Sequence, residues 1–307
     1  MNQFCIFDIN VASEINLFNI PPSCEIDNEL TIVSVDKSPL NKSFKTYHKI
    51  VTNGKTLISY LKDNDIFGLR FHNYADFLLN PSKKVIKCFK RRNTSNETLS
   101  HLITDQVIPY ALSLNGEMLF HSSAVEVNNK AISFLAPSGS GKSTIAAYFC
   151  KKKHQLVTDD SLLLKNRENT IYAYPSYPGL RLWPDIIDNI YSNKVLTKEV
   201  SQFNKKRFFN PNSNYEKYLN YSLPLKSIYF INNNNKTSIE NISPSDAFSL
   251  IIKNIFRADM KNKTINKNEF EFITNVLSLV DLYKLNYEMR YESLEKLYGL
   301  ILDQSHD

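Results

Sequence analysis

Lys130-Ala131-Ile132-Ser133-Phe134-Leu135-Ala136-Pro137-Ser138-Gly139-Ser140-Gly141-Lys142-Ser143-Thr144 decides how the chain is read. An apolar strand pattern runs into a glycine-containing loop, and Ser143 to Lys153 continues as a helix candidate. The whole chain has 7 glycines, and this loop holds Gly139 and Gly141. Strand, loop and helix in that order are the context a phosphate-binding loop needs. Its backbone N–H groups and the positive end of the helix converge on phosphate oxygens. Gly139 and Gly141 permit backbone angles and an approach that a Cβ would block. Lys142 would reach the β- and γ-phosphates and Ser143 would offer its hydroxyl to Mg²⁺, while Ala136, Pro137, Ser138, Ser140 and Thr144 complete the nucleotide-binding segment. The first glycine of the usual pattern is Ala136 here, so this position must adopt ordinary backbone angles.

Downstream, Gln155 to Thr158 reads as a strand ending in Asp159-Asp160. A strand–helix–strand unit returns that pair to the loop, where carboxylates can hold Mg²⁺ or take a proton from an attacking hydroxyl. A turn or helix cap ahead of Ser161 is the plainer reading of the same pair. Upstream, Met118 to Val127 is a strand candidate, and Asn128-Asn129 is a turn that tolerates positive φ. Pairing Val127 with Lys130 sets Glu126 opposite Ala131, Ser123 opposite Phe134 and His121 opposite Ala136. His121 then stands at the mouth of the loop, able to donate to a phosphate, to orient an aspartate, or simply to satisfy a local hydrogen bond.

The remaining segments frame this centre. Residues 1–96 read as a β-rich N-terminal region for packing or substrate recruitment, with strands at Thr31–Val35 and Lys83–Phe89. Residues 97–307 read as the second domain. It opens with a helix over 97–114 that Pro109 kinks or splits. Further on come a helix from Pro184, a strand at Leu225–Ile231, helices near 244–258 and 268–281, and a strand–helix unit over 283–302. The Asn232–Asn235 run reads as a loop. Lys205-Lys206-Arg207 reads as solvated loop charge or as a clamp for phosphate or an acidic peptide, and Arg257 as a charge at a helix C-terminus.

Composition excludes several classes. The 307 residues are 42% hydrophobic and 22% charged, within the globular range. The net charge of +6 is spread along the chain, with no aromatic-plus-basic platform for nucleic acid. No apolar run is long enough to span a membrane. The first basic residue is Lys37, which does not suit a secretory leader. Cys5, Cys24, Cys88 and Cys150 are far apart, against a zinc knuckle or disulfide framework and in keeping with a cytoplasmic location.

These motifs resemble the histidine-containing phosphocarrier protein (HPr) kinase/phosphorylase family. The resemblance rests on the His121 strand, the hairpin, Ser138-Gly139-Ser140-Gly141-Lys142-Ser143 and Val157-Thr158-Asp159-Asp160. His121-Ser122-Ser123-Ala124-Val125 and Pro178-Gly179-Leu180-Arg181-Leu182-Trp183 resemble a divergent branch found with ribosomal peptide pathways. Some of its members phosphorylate the C-terminal serine of lasso-peptide precursors. The implied fold is α/β, with a phosphoenolpyruvate-carboxykinase-like P-loop kinase core on a mixed sheet beside a smaller β-rich N-terminal domain. The resemblance implies Lys142 as the phosphate grip, Ser143 and Asp160 as Mg²⁺ residues, and Asp159 as general base. It implies His121 as a stabiliser of the phosphate site and Arg181 as the cation facing the transferred phosphoryl. Leu180 stands where the family carries a further acidic metal contact.

The expected activity is Mg²⁺-dependent transfer of the γ-phosphoryl of ATP, or another nucleoside triphosphate, to a serine of a peptide or protein. The foremost acceptor is the C-terminal serine of a lasso-type precursor. A small-molecule kinase and a non-catalytic nucleotide-sensing module are the alternatives. Expected partners are nucleotide and peptide, without nucleic acid or membrane, and a homo-oligomer is left open.

Overall fold

The computed structural model describes residues 1–23, 29–191, 195–211, 219–257 and 262–305, so Cys24 and the end of the helix expected near 244–258 lie outside the described residues. The fold is α/β with several sheets. The chain divides into two compact units: Met1–Asn115 with Glu199–Lys205, and Gly116–Lys198 with Lys206–Asp307.

The first unit is built on strands β1 (Asn2–Ile6), β2 (Ile9–Ser13), β3 (Leu30–Ser34), β4 (Lys45–Thr52), β5 (Lys55–Asp63), β6 (Ile66–Phe71), β7 (Ala75–Asn80) and β8 (Val85–Lys90). They form an eight-stranded sheet in the order β1-β2-β3-β8-β7-β6-β5-β4. The strands expected near 31–35 and 83–89 are β3 and β8. A 3₁₀ turn at Pro81–Lys83 precedes β8, capped by Asn80, whose Oδ1 accepts the Lys83 N–H at 3.1 Å.

The helix expected over 97–114 is split. Helices α1 (Asn96–Leu102) and α2 (Ile108–Leu114) flank a π-type turn at Ile103–Val107. Pro109 has no N–H to offer the preceding turn, which widens just ahead of it. Tyr110 of α2 sets its ring edge-on against Tyr60 and Phe67, and its hydroxyl lies 2.5 Å from that of Tyr47. These contacts attach the helical segment to the first sheet, so the division falls at 115/116 where 96/97 was expected.

The second unit contains β9 (Met118–Phe120), β10 (Ser122–Val127), β11 (Lys130–Leu135), α3 (Lys142–Lys151), β12 (Leu156–Thr158), β13 (Leu162–Arg167), β14 (Thr170–Tyr174), β15 (Leu180–Leu182) and α4 (Pro184–Tyr191). After β16 (Lys198–Glu199) and β17 (Arg207–Phe209) come β18 (Leu223–Asn233), β19 (Ser238–Asn241), α5 (Pro244–Lys253), α6 (Lys263–Leu279), β20 (Asp281–Tyr287) and α7 (Ser293–Ser305). The Asn run is therefore part strand, because Asn232 and Asn233 pair with Asn286 and Tyr287 of β20.

The hairpin register is the expected one, with Val127 opposite Lys130 and Ser123 opposite Phe134. Asn128 and Asn129 have φ of +53° and +60°, the angles a two-residue turn demands. Met118–Val127 is not one strand, however. It breaks at His121, whose N–H donates to the Asn254 carbonyl at 2.6 Å. Before the break β9 pairs with β13; after it β10 pairs with β11 and β12.

Because β10 is antiparallel to both β11 and β12, those two run parallel on either side of it, and α3 is their crossover. Their C-terminal ends share one edge of the sheet, where open α/β sheets hold ligands. Alternate residues of β11 feed two cores. Ile132 and Phe134 join Phe149 of α3 and Leu297 of α7, while Ala131 and Leu135 join Ile251 of α5 and Ile273 of α6. Apolar burial on both faces anchors the β11–α3 loop and the end of β12.

Candidate phosphate and carboxylate site

The loop between β11 and α3 starts from Ala136, which is buried and has no positive φ. Gly139 and Gly141 have φ of +86° and +90°, angles that a side chain would strain. Gly141 occupies the N-cap position of α3, so the helix's first N–H groups point back towards the loop. Ser143 and Thr144 fall in that first turn. Lys142 folds back, its Nζ donating to the carbonyls of Ala136 at 2.6 Å and Pro137 at 3.3 Å. Burial pushes the Lys142 pKa below its ordinary value, against the opposing pull of Asp160 and Asp159.

The adjacent aspartates have different surroundings. Asp159, at 1% exposure, is enclosed. Its Oδ1 accepts the hydroxyls of Ser123 at 2.6 Å and Ser143 at 2.8 Å, and its Oδ2 accepts the Arg181 N–H at 3.0 Å. Burial, then the negative charge of Asp160, pushes its pKa upward, and the hydrogen bonds pull back. Asp160 has φ of +72° and turns its carboxylate to the cavity, where Oδ2 lies 3.5 Å from the Arg181 guanidinium. The Arg181 guanidinium also lies over the Tyr177 ring, 4.8 Å from its centre.

His121 sits 2.8 Å through Nδ1 from the Asp160 carbonyl. A carbonyl only accepts, so Nδ1 carries the hydrogen. Burial and the nearby Lys142 charge lower the His121 pKa. In the neutral ring Nε2 is then an acceptor, which suits fixing the backbone of Asp160 and not donating to a phosphate.

These groups border one cavity of about 560 Å³. His121, Lys142, Ser143, Asp160 and Arg181 line it, together with Ser138, Gly139, Gly141 and Thr144. Asp159, Ala136, Pro137 and Ser140 do not. Lys206 does, although its place in a polar stretch gave no sign of whether it faced solvent or a site. Trp183, Asp185, Ile186 and the residues following β20 line the cavity as well. Trp183 belongs to the Pro178–Trp183 motif, but nothing in the sequence placed Asp185, Ile186 or the residues after β20 here, because they meet the loop only through the fold. Arg257 lies outside the cavity; its Nε donates to Glu269 of α6 at 2.8 Å.

The Ser143 hydroxyl, the Asp159 carboxylate it bonds and the Asp160 carboxylate at the cavity are hard oxygen donors, and few in number. They fit Mg²⁺ shared with phosphate oxygens, since that ion is commonly held by one or two protein donors plus phosphates and water.

No protein-family model matches the chain, and no curated protein matches it. Among solved structures, the Hpr(Ser) kinase/phosphatase from Coxiella burnetii overlaps with it at 10% identity and a TM-score of 0.33, over 61% of this chain and 95% of that one. So loose an overlap assigns neither a shared fold nor a shared activity.

Proposed function

We propose that this chain is a Mg²⁺-dependent kinase with a phosphoenolpyruvate-carboxykinase-like P-loop core of the HPr kinase/phosphorylase kind. It passes the γ-phosphoryl of ATP, or another nucleoside triphosphate, to a serine hydroxyl. One observation carries the reading: at the ends of parallel strands β11 and β12, the Ser143 hydroxyl of a glycine-bearing loop bonds Asp159 while Asp160 and Arg181 face the cavity before it.

The loop amides and Lys142 hold the triphosphate, and Ser143 with Asp160 or Asp159 would hold Mg²⁺. The ion, when bound, spreads the negative charge of the phosphates. Proton removal falls to the aspartate pair. The resemblance implies Asp159 as base and Asp160 as metal residue, but burial favours the exchange. Asp159 is enclosed and tied to the metal-side serine, whereas the Asp160 carboxylate lines the cavity beside the Arg181 guanidinium. Asp160 accepts the acceptor's hydroxyl proton as the serine oxygen forms its bond to the γ-phosphorus. The bond from that phosphorus to the bridging oxygen breaks, and the nucleoside diphosphate leaves with the electron pair. Arg181 balances charge on the moving phosphoryl. His121 positions Asp160 through its carbonyl.

Lys206 supports a peptide acceptor that brings negative charge beside its hydroxyl, as a C-terminal serine of a lasso-type precursor does with its own carboxylate. The test uses labelled ATP, Mg²⁺ and a peptide ending in serine, with a free or an amidated C-terminus. Label on the free-acid peptide supports the reading, label only on a small metabolite replaces it with a small-molecule kinase, and binding without turnover leaves a nucleotide sensor. Asp160→Asn should cut turnover by about 10²–10⁴-fold with ADP affinity little changed. Asp159→Asn should instead weaken the Mg²⁺-dependent part of nucleotide binding. The opposite pattern would restore Asp159 as the base.

A further inference from the structure

The cavity extends beyond the groups a triphosphate and its acceptor would use. In the strand β15, Leu180 and Leu182 are buried in the core. Arg181, Leu182 and Trp183, the residue just after the strand, all line the cavity. Trp183 is nevertheless 43% exposed, a large ring held at an opening. The segment after β20 places Met289, 46% exposed, in the same cavity. That segment abuts the phosphate loop: a Cβ built on Gly141 would lie 3.4 Å from the Tyr287 ring and 4.0 Å from the Met289 methyl. It is also tied to the start of α4, where the Tyr291 hydroxyl donates to Asp185 Oδ2 at 3.1 Å. An aromatic ring, a thioether and a second aromatic thus edge one space that is continuous with the phosphate loop.

We infer that Trp183, Met289 and Tyr291 form the seat for the purine base of the nucleotide, gripping it by stacking. This rests on the kinase reading above. The chemistry is that of a flat, polarisable ligand: a base has two π faces, which an indole and a thioether contact well. Stacking discriminates weakly between bases, so adenine and guanine nucleotides should bind with similar strength. Asp185 is occupied by Tyr291 and fixes the seat's edge.

The chain has 1 tryptophan, so its intrinsic fluorescence reports on this position alone. The experiment titrates the full-length protein with MgADP, MgGDP and magnesium tripolyphosphate, following binding by calorimetry and Trp183 by fluorescence. Both nucleotides should quench Trp183, and tripolyphosphate should bind without that quench. Trp183→Ala should weaken MgADP by about 5- to 100-fold, the range of one stacked base, and leave tripolyphosphate within about twofold. Trp183→Phe should recover most of the ADP affinity, and Met289→Ala should show a smaller selective loss. If the variants weaken ADP and tripolyphosphate equally, or neither, the base seat is wrong while the phosphate site stands. If the wild-type protein binds none of the three, the phosphate-loop reading fails and the seat with it.

Discussion

Asp159 and Asp160 are neighbours in the chain and opposites in environment. The left-handed φ of +72° at Asp160 ends the strand and turns the second carboxylate outward, leaving the first inside. An aspartate adopts that conformation at a cost of about 1–3 kcal/mol, which the His121 hydrogen bond to its carbonyl helps offset. Asp76 of β7 shows what a buried carboxylate does when cations surround it. Burial would raise its pKa, but hydrogen bonds from Arg70 and Ser38 and the charges of Arg70 and Arg91 prevail and hold it below the ordinary 3.8. A depressed folded value means this stabilisation is present above the ordinary pKa and is lost as pH falls through the folded one. Asp76→Asn should therefore destabilise the first unit by about 2–3 kcal/mol at pH 7, where charged hydrogen bonds are lost. The difference should shrink at acid pH, as wild type protonates below its depressed folded pKa. Denaturant unfolding of both proteins at neutral and at acid pH checks it. A constant gap would mean that the charge of Asp76 contributes nothing.

Among the elements, the β10–β11 hairpin was the most legible, because its register follows from two local facts: an Asn-Asn turn and alternating apolar residues beside it. Replacing Asn129 by alanine keeps the space but removes a residue tolerant of φ near +60°, so about 1–2 kcal/mol should be lost in thermal or urea unfolding. Asn129→Gly should be close to neutral. The break at His121 could not be read, since it arises from a carbonyl on Asn254, far along the chain. Likewise the identity of Pro109 announces a disturbed helix, but whether it kinks, splits or widens depends on what the two halves pack against. Gly179 gives the strictest test at this scale. A Cβ there would lie 2.1 Å from the Phe208 ring, and Phe208 pairs with Arg181 across β15 and β17. Gly179→Ala must displace either the ring or the strand that carries Arg181, at a cost of about 1–3 kcal/mol. Phosphoryl transfer should fall at least tenfold, while the affinity for magnesium tripolyphosphate, set by the loop, changes less.

At the level of the whole molecule, the candidate site was more legible than its surroundings. The phosphate loop and the aspartate pair are joined by one crossover, and short-range pattern locates both. The seat at Trp183 and Met289 draws on segments about a hundred residues apart, which no local pattern joins. The unit boundary was hidden for a similar reason: contacts of Tyr110 with Tyr60 and Phe67, not composition, attach the helical segment to the first sheet. Buried thiols offer a way to follow each unit separately, because Cys88 lies in β8 of the first and Cys150 in α3 of the second. Burial pushes the Cys88 pKa up to about 12 and that of Cys150 upward as well, so neither reacts while enclosed. Reaction of Cys150 therefore requires α3 to open, and α3 begins at the loop proposed to hold the triphosphate. Nucleotide present at about a hundred times its dissociation constant lowers the open population about a hundredfold. Pulse labelling with a thiol reagent, read by mass spectrometry, should show Cys150 slowing by that factor with MgADP. The ratio of its slowing to that of Cys88 measures how far the two units share one opening event. A Cys150 rate indifferent to nucleotide would place the ligand away from the end of α3.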